Sequence, residues 1–324
     1  MQVQDVPISK GRRQGAALRT EIPWRWYAWG RIKKSRYYYA MFAIPFLYFI
    51  LFSYVPMSGI VIAFKNYNVF DGIAGSPWVG FKYFREFLSD PYFFTLIRNT
   101  MLIGLYQILF AFPAPIILAL LLNELRHTGF KRLVQTVSYL PHFLSTVVVC
   151  GIIVNFASFD GLINQFLAFL GLEPIHFLMM PEWFRTIYIS SEIWQGIGWG
   201  SIIFLAALTG IDSQLYEAAT IDGANRWRQM FHVTLPGIMP TIVIMLLFSI
   251  GAIMAVSFEK VLLLSNGSNF ATSDIISTYV YRRGLVSSDF SYATAVGLFN
   301  SVIALVFLTI GNYLSRKASE TSLW

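Results

Sequence analysis

The sequence predicts an all-α membrane protein with six transmembrane helices. Of its 324 residues, 56% are hydrophobic and 13% are charged, and the mean hydropathy of +0.57 exceeds that of soluble globular chains. A helix needs roughly 20 apolar residues to cross a hydrocarbon core about 30 Å thick, and only helices or closed barrels satisfy their backbone groups there. Six runs meet this length, at 38–64, 100–122, 134–157, 186–208, 239–258 and 292–314.

The first run follows a basic segment, residues 1–37, that has no apolar core of its own. We therefore expect helix 38–64 to be an uncleaved anchor rather than a signal peptide. The basic segment is expected to fix topology and contact lipid headgroups, with a specific docking role as the alternative. Kinks are expected at four prolines within the runs, namely Pro56, Pro113, Pro115 and Pro141.

The orientation follows from the Lys and Arg residues. Of the 24 in the chain, 16 lie in the two end segments, 1–37 and 315–324, and in the loops 123–133 and 209–238. Because cytoplasmic segments carry the excess of positive charge, both termini and both loops are predicted to be cytoplasmic. The longest cytoplasmic loop is then 209–238, between the fourth and fifth helices.

That loop contains the segment YEAATIDGANRWRQMFHVTLP, from Tyr216 to Pro236. Asp212 or Ser213 is a suitable cap for a first short helix, and Gly223 is suited to end or turn it. A second helical piece carries Trp227 and is expected to stop at Leu235 and Pro236. The pattern predicts a helix-turn-helix on the membrane surface; a plain amphipathic connector with Trp227 at the headgroups is the alternative.

Glu217-Ala218-Ala219, followed by Gly223 and then by Val233 to Pro236, resembles the EAA loop of permease subunits of bacterial binding-protein-dependent ABC importers. The family usually has Ile where Val233 stands. The segments WVGFKYFREFLSDPYFFTLIRNT, residues 78–100, and FEKVLLLSNG, residues 258–267, also look like parts of this family. The resemblance covers nearly all of the chain beyond residue 38, which would be the permease domain, 38–314. The resemblance is strongest to carbohydrate importers, namely the importers of alginate or related polysaccharides and the maltose transporter.

The resemblance implies that the loop forms a coupling helix that seats on an ATP-hydrolysing subunit. The residues expected to couple are Tyr216, Glu217, Ala218, Ala219, Asp222, Gly223, Arg226, Leu235 and Pro236. It also implies a heterodimer with a second homologous permease, two copies of an ATPase that bind ATP and Mg, a solute-binding protein outside, and the bacterial inner membrane as the location. The chain has no GK dipeptide and therefore no phosphate-binding GxxxxGK[ST] loop. We expect a transport subunit with no catalytic site and no cofactor of its own.

The fourth helix carries the first candidate pathway residue. An ionisable Glu192 within a span costs at least about 2.5–3.5 kcal/mol, so it is expected to face water, a partner or a cavity; a position at the outer headgroups is the alternative. The resemblance to the maltose transporter places Gln195, Gly196 and Trp199 where sugar is held, with packing or interfacial anchoring as the alternative for Trp199. With a less secure register it adds Ile253, Met254 and Ser257.

The alginate resemblance implies an acidic saccharide. Because each of its carboxylates pairs best with a forked Arg or with another cation, three residues in the loop before the sixth helix, Lys260, Arg282 and Arg283, are candidates to guide it. Lys65 follows the first helix and is a fourth. Contact with headgroups or with an acidic partner surface is the alternative.

Other patterns indicate no site. The four histidines lack metal-ligand spacing, and the single Cys150 allows no disulfide within the chain. Gly196, Gly198 and Gly200 are most simply a helix-packing face. No nucleic-acid partner is expected, although the net charge is +7. Two function classes stay open: an ABC importer permease, and a self-sufficient secondary carrier or channel, which would be expected to show internal repeats and several intramembrane charges.

Overall fold

The computed structural model describes residues 34–318, and this part of the chain is helical almost throughout. Its single β-type pairing is an isolated bridge between Lys65 and Trp78. The predicted all-α class is therefore confirmed for the described residues. The predicted segments 1–37 and 315–324 lie largely outside them. The described residues divide into two compact units, the first ending at Gly59 and the second beginning at Ile60.

Four helices in the described part are long and apolar enough to cross a membrane, namely Arg36–Phe64, Phe93–Glu124, Thr146–Phe169 and Phe290–Tyr313. Two bent pairs raise the number to six if each is one span. They are Pro181–Leu208 with Ser213–Ile221, bent by 76°, and Arg226–Gly237 with Met239–Gly251, bent by 61°. Four to six membrane helices are thus present, and the count of six stays a prediction.

The individual helical segments are shorter than the spans because turn types change along them. In chain order they are Arg36–Phe49, Ile50–Tyr54, Val55–Met57, Ser58–Phe64, Gly72–Gly75, Lys82–Ser89, Phe93–Tyr106, Gln107–Ala111, Pro113–Glu124, Thr128–Tyr139, Leu140–Phe143, Thr146–Ala157, Leu162–Phe169, Pro181–Leu208, Ser213–Ile221, Arg226–Gln229, Met230–Thr234, Leu235–Gly237, Met239–Gly251, Phe258–Leu264, Phe270–Ser273, Ile276–Tyr281, Arg282–Val286 and Phe290–Ala318.

Widened π-helical turns precede three prolines. Ile50–Tyr54 lies before Pro56, Gln107–Ala111 before Pro113, and Met230–Thr234 before Pro236. Proline has no backbone N–H and its ring clashes with the carbonyl four residues earlier, so a wider turn lets the helix continue. The prediction that Leu235 and Pro236 stop the second arm of the loop is therefore wrong: the helix continues to Gly237 and breaks at Ile238.

Two predicted spans are interrupted. The run 134–157 is divided at Pro141 by a 3₁₀ turn, Leu140–Phe143, and a new helix begins at Thr146 with the Ser145 hydroxyl accepting from the Val148 N–H at 3.3 Å. The helix predicted over 239–258 ends at Gly251, and residues 252–257 are not helical. Its 13 residues rise only about 20 Å, less than the hydrocarbon thickness.

The second unit is built around three buried clusters. One joins Phe87 and Leu96 to Tyr292, a second joins Ile103 and Cys150 to Tyr188 and Val261, and a third joins Ile116 to Phe204 and Ile238. The clusters hold the long helices against the segments between residues 252 and 286. They thereby fix the position of the polar residues described next.

Glycines on Pro181–Leu208 allow close packing in two of the three predicted places. A Cβ at Gly198 would collide with the Ser138 carbonyl, and one at Gly200 would lie 2.9 Å from the Pro115 ring. Nothing lies within 4 Å of a Cβ at Gly196, which instead borders a cavity. The packing interpretation therefore holds for Gly198 and Gly200 and is wrong for Gly196.

Candidate functional site

The loop 209–238 has the predicted turn chemistry. The Asp212 carboxylate accepts from the Gln214 N–H at 2.9 Å and caps Ser213–Ile221. Gly223 has φ +75° and turns the chain after Asp222. This is the left-handed region, in which a glycine avoids the Cβ penalty. The predicted roles of Asp212 as a cap and Gly223 as a turn are confirmed.

Side-chain hydrogen bonds tie the two arms of the loop together. The Tyr216 hydroxyl and Thr234 Oγ1 are 3.0 Å apart, and Gln229 Nε2 donates to Thr220 Oγ1 at 3.0 Å. The second arm begins with Asn225, whose side chain accepts from the Arg228 N–H at 2.9 Å. The loop therefore keeps its shape through contacts within itself.

The outer surface of this loop carries both charged and apolar groups. Glu217 and Ala218 are exposed and Ala219 is half-buried. Ile221 is 85% exposed and Trp227 is 65% exposed. Of the other predicted coupling residues, Asp222 and Pro236 are exposed, Tyr216 and Leu235 are half-buried, and Arg226 faces Glu124 at 3.9 Å.

A second group of predicted residues converges on one buried ammonium, which we name the Lys260 cluster: Glu192, Gln195 and Lys260. Lys260 Nζ lies 2.5 Å from Glu192 Oε1 and donates to Gln195 Oε1 at 2.9 Å. Its side chain is only 2% exposed, whereas that of Glu192 is 28% exposed. Lys260 comes from the helix Phe258–Leu264, which begins just after the irregular residues 252–257.

Glu192 and Gln195 also line a cavity of about 430 Å³. The remaining lining residues are His142, Leu144, Ser145, Thr146 and Gly196. Trp199 is 46% exposed and stacks on the His142 ring, with ring centroids 4.5 Å apart and planes 5° apart. Hydroxyl, amide, carboxylate and aromatic groups around one cavity can hydrogen-bond and stack against a sugar.

The less secure part of the predicted pathway lies elsewhere. Ile253 and Met254 are 7% and 4% exposed and belong to the hydrophobic core. The Ile253 carbonyl packs so closely on Gly104 that a Cβ there would collide with it. Ser257 caps the helix Phe258–Leu264, with its hydroxyl accepting from the Lys260 N–H at 3.4 Å. Ile253 and Met254 are thus packed in the core of this structure, and a contact of these residues with substrate stays a prediction.

The cations predicted to guide an acidic chain are already engaged. Lys260 pairs with Glu192, and Arg282 pairs with Asp274, whose side chain is 1% exposed. The hydrogen bond to Asp274 raises the pKa of Arg282. The remaining partners are Asp289 for Arg283, at 3.3 Å, and the Ile73 carbonyl for Lys65, at 2.7 Å. Three of the four therefore have a carboxylate partner and Lys65 has a neutral carbonyl partner, and their role in guiding an acidic chain stays a prediction.

Sequence reasoning missed several residues near these groups. Arg98, Asn99 and Arg185 form a polar group where Phe93–Glu124 meets Pro181–Leu208. His142, Ser145 and Thr146 enter the cavity because the third predicted span is broken at Pro141. A proline within an apolar run was the one signal for the second set. Among residues 34–318, no three His, Cys, Asp or Glu side chains are grouped so as to hold a metal ion.

The structure combines apolar helices of membrane length, a polar cavity beside a buried ion pair, and an exposed helix-turn-helix loop. These features are those of a multi-pass membrane transport subunit. A family model described as "Binding-protein-dependent transport system inner membrane component" matches residues 111–320. The chain belongs to this family.

Similar proteins narrow the class to sugar uptake. The polygalacturonan/rhamnogalacturonan transport system permease protein YteP of Bacillus subtilis is 46% identical to this chain. The match covers 91% of this chain and 92% of the length of YteP. The arabinooligosaccharides permease AraP of the same organism is 28% identical over 86% and 87%. A chain in the crystal structure of a bacterial ABC transporter involved in the import of the acidic polysaccharide alginate is 42% identical, with a TM-score of 0.84 over 90% of this chain and 99% of that one.

The chain is therefore a carbohydrate-uptake ABC importer permease. The alternative of a self-sufficient secondary carrier or channel is excluded by this membership. Its relatives are permease subunits rather than enzymes, and the predicted resemblance to alginate importers is confirmed.

Proposed function

We propose that this chain forms half of a pathway that imports an acidic oligosaccharide, a chain of uronic acids such as a fragment of alginate or polygalacturonan. The proposal rests on the substrates named for two similar proteins. Both are more than 40% identical to this chain over about nine-tenths of it, and their names give polyanionic polysaccharides as substrates: polygalacturonan/rhamnogalacturonan and alginate. A neutral maltooligosaccharide is the competing substrate class.

The proposed topology has six spans, with both termini and the loop 209–238 in the cytoplasm of a bacterial inner membrane. The two bent pairs count as the fourth and fifth spans with their loop arms. The positive charge on this side supports the orientation. The basic segment 1–37 and the tail 315–324 are then cytoplasmic, and residues 38–314 are the permease domain.

The proposed assembly is a pseudo-twofold heterodimer with a second permease, on which two copies of an ATPase bind ATP and Mg. The exposed loop surface around Glu217 and Ile221 supports docking of an ATPase there. A solute-binding protein would deliver the saccharide from outside, as in the alginate transporter whose structure contains an alginate pentasaccharide-bound periplasmic protein. Within the chain, the cavity beside the Lys260 cluster and Trp199 is the proposed sugar contact.

Solute-stimulated ATP hydrolysis tests the substrate class. The complete transporter, with its ATPase and binding protein, is reconstituted in vesicles and given oligogalacturonates, alginate oligosaccharides or maltooligosaccharides of equal length. We expect the acidic series to stimulate hydrolysis and the neutral series to leave it at the basal rate. Stimulation by the neutral series alone would overturn the proposal.

A further inference from the structure

Arg185 differs from three other cations that pack between the helices. Lys260, Arg282 and Arg283 each have a carboxylate within 4 Å. Within the described residues, Arg185 forms no ion pair. Its buried Nε, like that of Arg283, has no hydrogen-bond partner. Its Nη2 donates instead to Asn99 Oδ1 at 2.9 Å. An amide oxygen accepts a hydrogen bond but does not neutralise the guanidinium charge.

The asparagine that holds Arg185 is fixed in orientation. Asn99 is fully buried. Its Nδ2 donates to the Ala271 carbonyl at 3.2 Å and to the Asp274 carbonyl at 3.0 Å. Since both neighbours are acceptors, the amide nitrogen must face them and the amide oxygen must face Arg185. The chain thus builds a rigid holder for a half-buried arginine and supplies no negative charge.

A second guanidinium lies beside it. Arg98 is exposed and donates from Nη2 to the same Ala271 carbonyl at 3.2 Å. Arg98 and the asparagine that holds Arg185 thus share one acceptor, the Ala271 carbonyl, which brings the two arginines into one polar group. Arg98 also forms no ion pair in the described part of the chain. Glu182 lies three residues before Arg185 on the same helix but is exposed and makes no ion pair with it there. Two like charges held together without a counterion favour an anion between or above them.

We propose that Arg98 and Arg185 bind a carboxylate of the acidic saccharide as it enters the permease. The inference rests on the proposed function and names the residues that recognise the acid. Guanidinium groups bind carboxylates through paired, charge-assisted hydrogen bonds. Partial burial reduces the screening of such a contact by water. Asn99 is a positioning residue for Arg185.

The test measures the oligogalacturonate concentration that half-saturates ATP hydrolysis by the complete reconstituted transporter. Arg185→Gln keeps a donor toward Asn99 but removes the charge, and it is expected to raise that concentration about tenfold or more. Arg98→Gln should raise it less, because Arg98 is exposed. Asn99→Asp puts a carboxylate beside Arg185 but also an oxygen against the Ala271 and Asp274 carbonyls. Where its thermal unfolding matches the wild type, it should act in the same direction as Arg185→Gln, because the new carboxylate neutralises Arg185. Arg85→Gln, at an exposed arginine on Lys82–Ser89, is the matched control and should change nothing.

The outcomes separate this inference from the proposed function. If the wild type responds to maltooligosaccharides alone, the proposed function fails. If the wild type responds to oligogalacturonate and both Arg98→Gln and Arg185→Gln match it, only the two-arginine site is overturned. A defect seen in vesicles with phosphatidylglycerol but not in phosphatidylcholine would assign the pair to lipid phosphate and overturn the site. Weaker binding of the sugar-free binding protein to the Arg185→Gln complex would overturn it as well.

Discussion

The loop 209–238 and the Lys260 cluster both interrupt an apolar chain, yet they are held by different kinds of contact. In the loop, Asp212 bonds to a residue two positions away and Tyr216 to one 18 positions away. In the cluster, Lys260 bonds to Gln195 across 65 positions. The loop's shape is therefore set largely by contacts within the loop, and Glu217 and Ile221 stay exposed. The cluster forms only when separate helices pack.

The largest effect is expected at the loop, where a change should break coupling but not folding. Glu217→Lys, or Gly223→Asp at φ +75°, should leave the protein inserted and abolish solute-stimulated ATP hydrolysis. Losing one partner of an ion pair buried on assembly costs roughly 3–5 kcal/mol. The measurement is ATPase activity of the reconstituted complex with and without solute.

The control for the loop variants is Gly267→Asp, because a Cβ at Gly267 has open space and its φ is not left-handed. It should retain stimulation. Wild-type stimulation in a stably assembled Glu217→Lys complex would contradict the coupling role of the loop.

The next effect concerns the Lys260 cluster, where the change should weaken the fold itself. Glu192→Gln leaves the buried Lys260 ammonium without its carboxylate and should cost about 3–5 kcal/mol. Lys260→Met should cost less, because the Glu192 side chain is 28% exposed and can hydrate. The double variant should recover most of the loss. Thermal unfolding of the detergent-solubilised protein measures all three.

Equal losses for Glu192→Gln and Lys260→Met, with no recovery in the double variant, would contradict the assignment of the pair as a mutually dependent unit. Ser268→Ala, at an exposed site in the loop after Phe258–Leu264, serves as the neutral reference.

The smallest effect is expected at the link between the two arms of the loop. Tyr216→Phe removes the hydroxyl that meets Thr234 Oγ1 at 3.0 Å and should cost about 1 kcal/mol or less locally. Faster amide hydrogen exchange within 213–221, with unchanged exchange in Phe93–Glu124, would show that the arms are held locally. Faster exchange across the whole chain would instead make the loop part of the global fold and remove the contrast with the Lys260 cluster.

The sequence by itself determined the membrane class, the approximate positions of the apolar helices and the turn chemistry of the loop. Hydropathy is a sum over neighbours in the chain, and caps such as Asp212 and turns such as Gly223 act within a few residues. The resemblance to the permease family could also be recognised without a structure, because the spacing of the motif residues from Glu217 to Pro236 is a property of the linear sequence.

Only the tertiary structure decided where the fifth predicted span ends and which charges have an acidic partner. The fifth predicted span ends at Gly251, because the core clusters hold residues 252–257 in a non-helical form that hydropathy cannot distinguish from helix. Lys260 and Arg282 looked available, but Glu192 and Asp274 meet them after packing. Arg185 was not singled out at all, since its charge matters only because the residue that folding places opposite it is Asn99 rather than an acid.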